Sequence, residues 1–133
     1  MSAGRIALVA AVATAVFWGA KAVAIWSAGG LDQSALEGPL FVLGLISLVV
    51  AFAALGAHLA RARPLWQRVV AAILVVLIGG VIFLFVEDAS GSLVGEAAGW
   101  VQEEIGLWVA ALLTLVLTIA ATRSPKAAPP TAD

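Results

Sequence analysis

The chain has 133 residues, of which 63% are hydrophobic and 11% charged, with a net charge of −1. An average soluble domain is about 45–50% apolar and about 25% charged, and a chain this short has too little interior to hide the difference. This balance excludes a soluble globular domain and a disordered chain, and a pI of about 5.7 speaks against a nucleic-acid binder.

Four apolar stretches follow in order. Residues 6–26 are interrupted only by Lys21, and residues 39–59 only by His58 near the end. Residues 65–86 carry Gln67 and Arg68 in their first turn, and residues 105–121 carry no charge. A membrane-spanning helix needs about 20 apolar residues at a rise of about 1.5 Å each. The first three stretches reach that length, and the fourth reaches it by borrowing end residues such as Glu104 and Thr122. Barrel strands would be shorter and would alternate in polarity. The expected fold is therefore all-α: a polytopic integral membrane protein built as an antiparallel four-transmembrane-helix bundle. The spans fall at about 5–27, 39–60, 65–87 and 104–122. Residues 1–123 form the membrane domain, and residues 124–133 form a disordered polar tail.

The punctuation between spans agrees. Gly29 and Gly30 suit a left-handed C-cap. Pro39 and Pro64 sit at first-turn positions, where a missing N–H costs nothing. The link at residues 60–64 is short enough to make the second and third helices antiparallel neighbours. Between the third and fourth spans, Leu93, Ala97, Trp100 and Val101 share one helical face. That pattern predicts a short, outward-facing amphipathic helix before the fourth span.

Charge sorting predicts orientation. Arg5, Arg61, Arg63, Arg68, Arg123 and Lys126 fall on one side of an even-numbered bundle. Asp32, Glu37, Glu87, Asp88, Glu96, Glu103 and Glu104 fall on the other. With short loops, the positive-inside rule places both termini in the cytoplasm of a plasma or inner membrane. Arginine-rich, alanine-rich composition is associated with bacterial genomes of high GC content.

Small residues recur every fourth position: Ala3, Ala7, Ala11, Ala15 and Gly19 in the first span, and Gly106, Ala110, Thr114, Thr118 and Thr122 in the fourth. In lipid such ladders let helix backbones approach closely. A four-residue repeat drifts about 40° per step around the helix, so two or three rungs at a right-handed crossing are expected to be used.

Lys21 is the one ionisable residue well inside a span, roughly 7–8 Å from its outer end. It can snorkel, or pair with Glu87 or Asp88 at the end of the third span or with Glu37 before the second. The sharper alternative is a site for an anion, a lipid headgroup or a coupled proton. No Asp, Glu, Asn or Gln lies deep in any span, which argues against a proton- or cation-coupled transporter. No nucleophile–base pair, paired-histidine metal site or phosphate-cradling loop is visible, so no enzyme activity, cofactor or metal is expected. The chain reads as an accessory, assembly or self-associating membrane subunit. Its expected partners are membrane lipid, further copies of itself or a larger membrane complex. The competing reading is an oligomeric transporter or channel for a small solute or ion, with Lys21 in the pathway.

Overall fold

The computed structural model describes residues 1–123. Four α-helices run in chain order: α1 (Ala3–Ala28), α2 (Glu37–Leu59), α3 (Leu65–Val94) and α4 (Trp100–Thr122). Each is long and apolar enough to cross a membrane, which is the architecture of a multi-pass membrane protein. The tail expected at residues 124–133 lies outside the described residues.

The helix ends follow local chemistry. The Ser2 hydroxyl accepts a hydrogen bond from the Arg5 backbone N–H at 3.3 Å, capping α1. Gly29 closes α1 at φ 92°, and the Gly30 N–H reaches back to the Ile25 carbonyl at 3.0 Å, the Schellman arrangement that glycine permits. Pro64 sets the start of α3.

The segment before α4 departs from expectation. Residues 89–94 continue α3 instead of starting a separate helix, and a single 3₁₀ turn at Glu96–Ala98 joins α3 to α4. Gly95 and Gly99, at φ 79° and 62°, make the two sharp turns on either side. Trp100 and Val101 thus belong to the first turn of α4. With 30 residues, α3 is about 45 Å long, well beyond a hydrocarbon core of about 30 Å. Its last turns therefore form a wall above the apolar layer or are accommodated by tilt.

Helix α1 packs against α2 and α4, and α3 packs against the same two. Helices α2 and α4 also touch across the bundle. On α1 the buried positions include Gly4, Ala7, Ala11, Thr14, Trp18, Lys21 and Ile25. Their spacing alternates three and four residues, a 3.5-residue period that stays on one face along the whole helix. The every-fourth ladder does not, and only part of it is used: Ala7 and Ala11 are buried, Ala15 is only partly so and Gly19 is exposed. The drift of a four-residue repeat carries its upper rungs off the seam. On α4 the pattern survives longer, with Gly106, Ala110, Thr114 and Thr118 all buried. The backbones come close where glycine allows it. A Cβ on Gly56 would lie 2.5 Å from the Ala71 carbonyl oxygen of α3, and one on Gly106 would lie 2.6 Å from Glu87 Cα.

Candidate functional site

Both α1 and α4 bring a charged residue onto the buried face. Lys21 follows Trp18 on the α1 seam. Glu104 occupies the same seam on α4 as Leu107, Ala111, Thr114 and Thr118. The two meet: the Lys21 ammonium donates directly to Glu104 Oε1. Lys21 is 7% exposed and Glu104 is 3% exposed. An isolated charge at such a position would carry a large desolvation cost, and a paired one carries much less.

Aromatic residues surround the pair. The Phe41 ring lies 5.6 Å from Lys21 Nζ, within cation–π range. One turn below, Trp18 is fully buried and stacks between Phe41, with centroids 6.4 Å apart, and Phe83, at 5.9 Å. Its indole N–H donates to the Phe41 backbone carbonyl at 3.3 Å. Leu48, Leu107, Ala110 and Ala111 complete this apolar layer, which forms the floor beneath the ion pair.

Above the pair opens a vestibule of about 630 Å³. The last turns of α3 contribute Glu87, Asp88, Gly91 and Ser92, and the first turn of α4 contributes Gln102, Glu103 and Glu104. The Gln102 side-chain amide donates to the Gly91 carbonyl at 3.3 Å and ties the two walls together. Among the described residues, no three acidic or histidine side chains converge closely enough to hold a metal ion.

These positions revise the sequence-based pairing. The partner of Lys21 is Glu104, not Glu87, Asp88 or Glu37. Glu87 and Asp88 share the vestibule with Lys21 without bonding it. Glu37 is buried but turned to its own helix end, where Oε2 accepts from the Ser34 N–H at 3.3 Å. The apolar run alone offers Glu104 only as an end residue that lengthens the fourth span. The signal that finds it is phase: counting back from Thr118 in steps of four and three lands on Glu104, and not on its acidic neighbour.

A second cavity, of about 190 Å³, lies deeper between α2, α3 and α4 and is lined almost wholly by apolar side chains, including Phe52, Ile82 and Leu113. Comparison with protein families, with curated proteins and with solved structures returned no match. The fold and the site therefore define the class on their own: a four-helix membrane bundle with a buried ion pair beneath a polar vestibule.

Proposed function

We propose that this chain is a small membrane subunit that works by packing, associating with further copies of itself or with a larger membrane complex. The observation that carries this reading is the Lys21–Glu104 pair. The one cation well inside a span holds α1 against α4, and the Trp18 layer closes the bundle beneath it. Such an interior suits a rigid structural element better than a conduit. The surface left for association is α3, which has no buried residue within the described chain. In this reading Arg5, Arg61, Arg63, Arg68 and Arg123 face the cytoplasm and the vestibule faces outward. Native mass spectrometry of the full chain from a mild detergent tests it. A particle of two or more chains, or one carrying another protein, is expected. A lone monomer overturns the reading.

The transport reading draws on the same geometry, because Lys21 lines the vestibule as well as pairing with Glu104. It requires Lys21→Met to abolish solute flux in a chain that still folds.

A further inference from the structure

We infer that the arginine end of the bundle holds an anionic phospholipid, with the phosphate on Arg123 and Arg5 and an acyl chain in the groove of α4 that ends at Arg123. This inference stands apart from the packing role and does not depend on it. The first observation is an imbalance of charge. Arg5, Arg61, Arg63, Arg68 and Arg123 lie in or just beyond the end turns of the helices on one side of the bundle. Among the described residues no acidic side chain lies with them, and the ion pair found, Lys21–Glu104, sits toward the opposite end. Clusters of about four to eight basic side chains at a membrane surface attract anionic headgroups.

The fold gathers part of this cluster at one junction. The start of α1 and the ends of α2 and α4 meet at Gly4, where a Cβ would lie 2.9 Å from His58 Nδ1 and 3.5 Å from Thr122 Cγ2. Arg5 and Arg123 directly follow Gly4 and Thr122, and both are exposed. Arg61 reaches the same place: its Nη1 donates to the His58 carbonyl at 3.2 Å and lies 3.4 Å from His58 Nε2. Among the described residues none of these guanidinium groups pairs with a carboxylate.

The second observation is a groove that leads to the charges. Val116, Ile119, Ala120 and Arg123 line a depression of about 250 Å³ on α4. It lies opposite the buried Thr114–Thr118 seam, so it faces lipid. Val116, Ala120 and Arg123 follow at steps of four and three, so the groove runs along the helix for about two turns, roughly 10 Å, and ends at a guanidinium. That fork matches phosphate oxygens in geometry as well as charge. A free anion would use the charge and leave the groove. A zwitterionic lipid would use the groove but set its own ammonium among the arginines. An anionic phospholipid satisfies both features.

The test uses the full chain in mild detergent, mixed with equal amounts of phosphatidylglycerol and phosphatidylethanolamine bearing the same acyl chains. Native mass spectrometry is expected to show selective retention of phosphatidylglycerol. The unfolding temperature should rise saturably with phosphatidylglycerol and stay unchanged with glycerol 3-phosphate, which carries the charge without the chains. Arg123→Gln is expected to lower phosphatidylglycerol affinity by about fivefold, and Arg5→Gln/Arg123→Gln by about twentyfold, the scale of one and two arginines at an anionic surface. Both residues are exposed, so the unfolding temperature without lipid should match that of the native protein. Arg63→Gln removes the same charge from the link between α2 and α3, away from the groove, and should leave the affinity nearly unchanged. Equal retention of the two lipids, an equal response to glycerol 3-phosphate, or a loss in Arg63→Gln as large as in Arg123→Gln overturns the proposal.

Discussion

Gly44 of α2 lies directly against the indole of Trp18 on α1, so close that a single added methyl group would overlap the ring. Trp18 cannot yield, because it is fully buried, stacked between Phe41 and Phe83, and hydrogen-bonded to the Phe41 carbonyl. Gly44→Ala is therefore expected to destabilise the bundle by about 1–3 kcal/mol, the usual cost of overpacking a filled core. Gly19→Ala supplies the control, since a Cβ there meets nothing within 4 Å. Thermal unfolding in detergent should separate the two variants clearly, and equal stabilities would show that the Trp18 layer is loosely packed.

The Lys21–Glu104 pair predicts a non-additive cycle. Lys21→Met leaves a buried carboxylate without its cation, and Glu104→Leu leaves a buried ammonium without its anion. Each single change is expected to cost about 3–5 kcal/mol, because an uncompensated charge remains in the interior. The double variant Lys21→Met/Glu104→Leu removes both charges and should recover much of that loss. Unfolding free energies for the four proteins measure the coupling. Additive losses would mean that the two residues act separately.

The number of helices, their approximate ends and the antiparallel neighbours were legible in the sequence, because hydrophobic runs, prolines and glycines report on local chemistry. The partner of Lys21 was not, for a geometric reason. Glu87, Asp88, Glu103 and Glu104 all lie near the same end of the bundle, and only rotation about the α4 axis decides which one turns inward. On α1 the four-residue ladder leaves open which of its rungs share the seam, and the observed 3.5-residue phase puts Trp18 and Lys21 there and leaves Gly19 outside. The continuation of α3 to Val94 was hidden for a related reason. Residues past Val86 are polar enough to suggest that the helix stops, yet a helix that leaves the apolar layer can continue at little cost.

Orientation can be read from chemical access, since the chain has no native cysteine. Ser2, Asp32 and Glu96 are all exposed, at the bundle end with Arg5 for the first and at the opposite end for the other two. Single cysteines at these positions in inverted and right-side-out vesicles should label with a membrane-impermeant maleimide in opposite patterns. Ser2→Cys is expected to react from the cytoplasmic face, and Asp32→Cys and Glu96→Cys from the other. Labelling of all three from one face would refute a membrane crossing by α1.

Gly80 offers a test of association that leaves the single bundle intact. It lies midway along α3, and a Cβ there meets nothing within 4 Å, whereas Gly79 beside it is filled by the Phe52 ring. The surrounding side chains Leu77, Val81 and Leu84 are all more than half exposed, so Gly80 sits in a shallow depression of the kind that lets a neighbouring helix approach in lipid. Gly80→Leu fills that depression without touching the core. The unfolding temperature of the single chain should stay close to that of the native protein. The higher-mass particle in native mass spectrometry should give way to monomer, because the small-residue contact that lets backbones approach is lost. Gly79→Leu should do the reverse, damaging the fold by colliding with Phe52. Unchanged assembly in Gly80→Leu would remove this part of α3 from the interface and direct the search to the Ile73–Leu74 turn nearer its start.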